Sequence, residues 1–173
     1  MSRTDHKGVV KFNSTNLSCP VGEMIGRKNI SESKIPVLSC EGACIRGEIA
    51  RLAANIVSKA APYARGCHGE LLTVPDSAIA QWIKGAKTVV LIDGCFLRCT
   101  GRMLENIIDK KKLIQFDALS HYKKYTDVFD ADAVPEGERT EVARSVADWV
   151  IENLNDSSAA TSSTCSKQPC RET

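Results

Sequence analysis

Two pairs of cysteines share one spacing in this chain of 173 residues and eight cysteines. Cys95 and Cys99 lie four residues apart in "LIDGCFLRC" (91–99), and Cys40 and Cys44 lie four apart in "SCEGAC" (39–44). Cysteine thiolates are ligands of zinc and of softer metals, and they are also the nucleophiles of redox and sulfur-transfer enzymes. The pattern therefore points to thiol chemistry and leaves both uses open.

Three of the cysteines, Cys40, Cys67 and Cys95, lie at the carboxyl ends of segments that read as β-strands. In an open parallel sheet the carboxyl ends of the strands share one edge, where ligands bind. Cys44 and Cys99 come one helical turn later, where the following helices are predicted to begin. The sequence therefore predicts five thiols in a small volume, and a tetrahedral zinc ion needs about four of them.

These residues also carry a resemblance. The segments "SCEGAC…GEIARLAAN", "RGCHGE" and "IDGCFLRC" resemble the DGC-domain family, which is named for its Asp-Gly-Cys motif and regarded as zinc-binding. The resemblance covers roughly 37–110 and implies four metal ligands: Cys40, Cys67, Cys95 and Cys99. Two departures from the family pattern leave the role of Cys44 open and make His68, which directly follows Cys67, a candidate replacement ligand.

The elements that would position these thiols alternate along the chain. Short apolar segments predict strands at 35–40, near 63–67, at 87–95 and at 113–119. Helical spacing of apolar residues predicts helices over 44–60, from Asp76 to Gly85, through 103–108 and in a long segment that opens at Pro135. Alternating helices and nearly continuous apolar strands predict a small Rossmann-like three-layer α/β domain of about four parallel strands.

Three regions follow from this organisation. Residues 1–34 are predicted to be an N-terminal extension of weak structure with one short strand at 9–12, and residues 35–154 form the DGC-type domain. Residues 155–173, rich in Ser and Thr, are predicted to be a disordered tail. The tail contains Cys165 and Cys170, for which a mobile metal-delivering pair and an incidental presence both remain open.

Composition excludes several classes of function. The formal net charge is +2, too small for a field that would attract nucleic acid. No segment approaches 18 apolar residues, so we expect no membrane partner, and the amino terminus lacks the apolar core of a signal peptide. These features predict a reducing, cytoplasmic location, where cysteines serve as metal ligands or redox thiols rather than as disulfides.

Two hypotheses for function remain, and the sequence favours a binding protein over an enzyme. The first is a protein that binds Zn²⁺ or another thiophilic metal through the cysteine cluster, with a role in metal or metalloid handling. The second is a redox or sulfur-transfer enzyme that uses Cys44 or Cys95 as its nucleophile. Asp93 is interpreted as a turn residue rather than as an acceptor behind a ligand, because Asp-Gly is common turn chemistry.

Overall fold

Four parallel strands form one sheet in the computed structural model, which describes residues 13–162 and, within the last helix, the side chains up to Asp156. The strands are β1 (Ile35–Ser39), β2 (Tyr63–Arg65), β3 (Val89–Asp93) and β4 (Leu113–Asp117), in the spatial order β2-β1-β3-β4. All three strand pairs are parallel. The predicted fold class is therefore confirmed.

Helices cover both faces of the sheet, which makes three layers. They are α1 (Pro20–Ser31), α2 (Ile45–Val57), α3 (His68–Thr73), α4 (Ala78–Gly85), α5 (Cys99–Leu104), α6 (Ala118–Tyr122) and α7 (Glu136–Ser162), with two 3₁₀ turns at Lys110–Lys112 and Ala131–Ala133. No helix in the described range has both the length and the hydropathy that crossing a bilayer requires.

The alternation of side chains along β1 and β3 builds two separate cores. Val37, Val90 and Ile92 point to one face, where α2 and α7 pack. Leu38, Leu91 and their neighbours point to the other face, under α4. All five of these side chains are fully buried. A strand that is buried on both faces must be apolar throughout, which is why β1 and β3 could be recognised from sequence.

The region predicted to be an extension contains a helix that belongs to the packed structure. Helix α1 lies against α4, and a Cβ on Gly26 would come within 2.4 Å of the backbone carbon of Ala78, so this close approach needs glycine. The carboxylate of Glu23 accepts a hydrogen bond from the backbone N–H of Ala78 at 2.8 Å. The prediction of weak structure across 1–34 is therefore wrong for residues 20–31, and the strand predicted at 9–12 lies outside the described residues.

Other differences concern where elements end. Helix α3 follows β2 in a segment for which the sequence predicted no helix. Helix α4 begins at Ala78, with Ser77 as its N-cap, rather than at Asp76. The helix after β3 is shorter than predicted: α5 ends at Leu104, whereas the sequence predicted a helix through 103–108. Helix α7 continues to Ser162, into the tail that was predicted to be disordered from residue 155. Neither glycine nor proline occurs between 155 and 162, so nothing in that segment stops the helix.

Candidate functional site

The cysteine edge, which we define as Cys40, Cys44, Cys67, Cys95 and Cys99, lies at the carboxyl ends of β1, β2 and β3. The chain leaves β1 toward β2 on one side, while β3 pairs with β1 on the other side, so the topology reverses between β1 and β3. A crevice opens at such a reversal, between the loops that follow the two strands. Those loops carry four of the five cysteines, after the two central strands of the sheet.

Cys40 and Cys99 form one half of the edge, together with the carboxylate of Asp93. Cys40 comes directly after β1, and its sulfur accepts hydrogen bonds from the backbone N–H groups of Gly42, at 3.4 Å, and of Gly94. Burial raises the pKa of the Cys40 thiol, and the negative charges of Asp93 and Cys99 raise it further, against the effect of those two N–H groups. In this setting Cys40 stays protonated unless a cation replaces its proton.

Cys44 and Cys95 form the other half, with Arg46 and Tyr122. Cys44 is the residue that precedes the first turn of α2, as predicted. Burial by itself would raise the pKa of the Cys44 thiol, but hydrogen bonds from the N–H of Gly47 and from the side chain and N–H of Arg46 outweigh it. The pKa of Cys44 is therefore lowered, which favours the thiolate form of this residue.

Tyr122 closes this half of the edge from the end of α6. Its pKa is raised well above the ordinary value, chiefly by burial and also by the charges of Cys44 and Cys95, while Arg46 acts in the opposite direction. The phenol therefore stays protonated and keeps a hydrogen that it can donate. The segment after α6 contacts the start of α2: the carbonyl of Phe129 accepts a hydrogen bond from the N–H of Ile45 at 2.9 Å.

Cys67 stands apart from these two halves. It is exposed, and its sulfur accepts a hydrogen bond from the N–H of Glu70 at 3.5 Å, at the start of α3. Its charged neighbour is Arg65, whose guanidinium donates to the hydroxyl of Ser39 and to the carboxylate of Glu41 at 2.5 and 2.6 Å. This network joins the ends of β1 and β2, two residues before Cys67.

His68 is the first residue of α3 and is half-buried. Burial lowers the pKa of its imidazole, with the positive charge of Arg65 adding to the effect and the negative charge of Glu41 opposing it. A neutral imidazole retains the lone pair that a metal requires. The role of His68 as a replacement ligand stays a prediction.

The Asp-Gly-Cys motif shapes the crevice through its first two residues. Asp93 is only 1 % exposed, and its carboxylate accepts hydrogen bonds from the Gln115 amide and from the N–H of Gly101. The carboxylate therefore links β4 and the start of α5 to the end of β3, and the chain turns away from the sheet directly after Asp93. Gly94 packs directly on the backbone of Arg46 and Gly47, so the two halves of the edge meet there.

Sequence reasoning missed the polar residues that surround the thiols: Arg46, Arg65, Gln115 and Tyr122. Only Arg46 had a local signal, because a cation two residues after a cysteine at a helix start lies within reach of that thiol. Gln115 bonds both Asp93 and the Arg98 side chain, from a strand 22 residues later than Asp93. No spacing in the sequence predicts that Gln115 contacts Asp93 and Arg98.

The donor set fits a thiophilic metal, but the structure does not present a preassembled site. The six cysteines between residues 13 and 162 are all free thiols. Within that range no three His, Cys, Asp or Glu side chains are grouped closely enough to hold one ion. A metal held here would have to draw the two halves and Cys67 together. Cys165 and Cys170 lie outside the described residues.

Comparison with protein families matches residues 36–146 to the model of the DGC domain. The match spans the sheet from β1 to β4 and extends into α7, and it includes the whole cysteine edge. No curated protein and no solved structure matches the chain.

Proposed function

Because the chain belongs to the DGC-domain family, we propose that it binds a thiophilic metal ion, with Zn²⁺ as the first candidate, at the cysteine edge. The ligands proposed are Cys40, Cys67, Cys95 and Cys99, with Cys44 as the fifth thiol beside them. The observation that supports this most is that free thiols stand at the ends of three adjacent strands. Thiolate ligands select zinc and softer ions over hard ions such as Mg²⁺.

The electrostatics of Cys40 favour a cation at that half of the edge. Burial and the charge of Asp93 hold its proton, and a bound cation would release that proton and pair with both groups. Asp93 is fixed by Gln115 and by Gly101, so it can orient the loop that carries Cys95 and Cys99 without being a ligand itself. The chain's own part is thus to hold the ligand loops in place and to supply negative charge.

Metal content of protein purified under reducing conditions without added metal tests the proposal. We expect about one zinc per chain, by the four-ligand chemistry of such sites. Cys40→Ser, Cys95→Ser and Cys99→Ser should each lower the content. Cys19→Ser is the matched control, because Cys19 is an exposed thiol that precedes α1 and follows no strand of the sheet. Metal-free wild-type protein, or equal content in Cys40→Ser and Cys19→Ser, would contradict the proposal.

A second candidate function rests on Cys44. Its hydrogen bonds from Arg46 and Gly47 are those of an activated thiol, as expected of a redox or sulfur-transfer enzyme. Counting reactive thiols before and after metal removal separates the two functions. Protection of about four thiols by metal favours the binding protein, whereas one fast thiol that is indifferent to metal favours the enzyme.

The setting proposed for either function is a reducing compartment such as the cytoplasm, because both need free thiols. The partner proposed is a soft metal ion, and neither nucleic acid nor membrane is proposed as a partner.

A further inference from the structure

Two buried hydrogen-bond donors at the cysteine edge have no acceptor among residues 13–162. They are the Nε–H of Arg46 and the hydroxyl of Tyr122. The rest of the Arg46 guanidinium is engaged, since Nη1 donates to the carbonyl of Thr126 at 3.3 Å and the side chain also bonds Cys44. A buried donor without an acceptor is unfavourable, so such a pair calls for a ligand that accepts from both.

The two donors belong to one place. Arg46 lies in the first turn of α2 and Tyr122 at the end of α6, and each lies within electrostatic range of the other and of both Cys44 and Cys95. Guanidinium groups have no acceptor, so the ligand must supply the lone pairs. An oxyanion meets that need, because its oxygens accept several hydrogen bonds and its charge pairs with Arg46.

The surrounding charges allow an anion. Lys123 and Lys124 follow Tyr122, both are exposed, and neither forms an ion pair with any residue that the structure describes. Two carboxylates also lie near the site. Asp117 accepts a hydrogen bond from the N–H of Ser120 at 3.3 Å, and Asp130 accepts one from the N–H of Asp132 at 3.0 Å, while the negative charge of Asp117 also acts on Tyr122. Arg46, Lys123 and Lys124 supply the positive charge that opposes it.

We propose that Arg46 and Tyr122 form a binding site for a small oxyanion (a carboxylate, phosphate or sulfate group) beside the sulfur of Cys44. The site goes beyond the proposed metal binding and does not need it, because both donors lie on α2 and α6 and neither is a metal ligand. An anionic group held there stands next to a thiol that is itself hydrogen-bonded by Arg46.

Alkylation of metal-free protein by two reagents tests the site. Iodoacetate carries a carboxylate and iodoacetamide is its neutral counterpart. In both reactions the thiolate sulfur attacks the CH₂ carbon, a C–S bond forms, the C–I bond breaks and iodide leaves. The rate ratio of iodoacetate to iodoacetamide at one cysteine cancels the fraction of thiolate, so it reports the attraction of the carboxylate alone. Cys19, an exposed thiol of the same chain, gives the reference ratio.

We expect the ratio at Cys44 to exceed the ratio at Cys19 by about tenfold, the effect of one hydrogen bond to a charged group. Inorganic phosphate should slow iodoacetate at Cys44 and leave Cys19 unchanged. Tyr122→Phe changes no charge and removes a hydroxyl without a protein partner, so it should fold normally and lower the ratio at Cys44. Tyr63→Phe, on the edge strand β2, is its control.

The charge of Arg46 is tested in the same way. Arg46→Gln should lower the ratio at Cys44, whereas Arg51→Gln, which removes a charge one turn along α2 from a surface pair with Glu48, should not. Equal ratios at Cys44 and Cys19 would overturn the proposal. So would a Tyr122→Phe ratio equal to that of Tyr63→Phe, since only nonspecific attraction by charge would then remain. Metal content measured on the same variants keeps this outcome separate from a failure of metal binding.

Discussion

Replacing Gly94 by alanine should destabilise the fold and disturb the cysteine edge at the same time. A Cβ at this position would lie 2.7 Å from the carbonyl oxygen of Arg46 and 3.0 Å from the nitrogen of Gly47. Both atoms are backbone, and ordinary contact begins near 3.4 Å, so the first turn of α2 would have to move by about 0.7 Å. That turn is anchored by Ile45 and Ile49, which are fully buried, so the movement strains the core.

Overpacking of this kind costs about 1–3 kcal/mol. For a chain of this size the melting temperature should then fall by about 2–12 °C. Gly85→Ala is the matched control, because a Cβ at Gly85 meets nothing within 4 Å. Thermal unfolding followed by circular dichroism compares the two variants in reduced, metal-free protein.

The same displacement should slow alkylation of Cys44, because it moves the hydrogen-bond donors on Arg46 and Gly47 away from the thiol. Mass spectrometry after brief, limiting alkylation measures this. If Gly94→Ala melts together with Gly85→Ala and labels Cys44 at the same rate, the contact between the motif and α2 does not position the site, and the reasoning fails.

Two further predictions concern pH and metal. Labelling of Cys44 in metal-free protein should reach half its maximal rate at a lower pH than labelling of an ordinary thiol, because hydrogen bonds lower the pKa of Cys44. Labelling of Cys40 should reach half its maximal rate at a higher pH, because burial raises the pKa of Cys40. A pH series read by mass spectrometry would contradict this if Cys40 were labelled at a lower pH than Cys44. Chelation of bound metal should lower the melting temperature, while the far-ultraviolet circular dichroism spectrum stays helical. The reason is that two buried apolar clusters stabilise the sheet without metal. A random-coil spectrum after chelation would show instead that the fold depends on the ion.

The sequence was sufficient to predict the sheet and the edge, because both depend on patterns that repeat locally. Val89, Val90 and Ile92 mark β3 as a buried strand, and the rule that parallel strands end on one edge then brings together cysteines 27 or 28 residues apart. Helix α1 escaped prediction because its buried face consists of Gly26 and Asn29 rather than large apolar side chains. A helix that packs through a glycine shows no apolar stripe.

The polar surroundings of the site could not be predicted for a different reason. Tyr122 comes from a five-residue helix, 76 positions after Arg46, and the two meet only because α6 lies at the end of β4.

The two halves of the cysteine edge differ in where their positive charge comes from. Cys40 and Cys99 lie near Asp93, and no cation is hydrogen-bonded to Cys40. Burial and the neighbouring negative charges therefore keep the Cys40 thiol protonated. Cys44 has the guanidinium of Arg46 as its cation already. A metal ion at Cys40 would lie beside the negative charge of Asp93, whereas a metal ion at Cys44 would have to displace Arg46. Because a tetrahedral ion takes four ligands and the edge offers five thiols, we infer that Cys44 is the thiol left out of the metal site and free to react beside it.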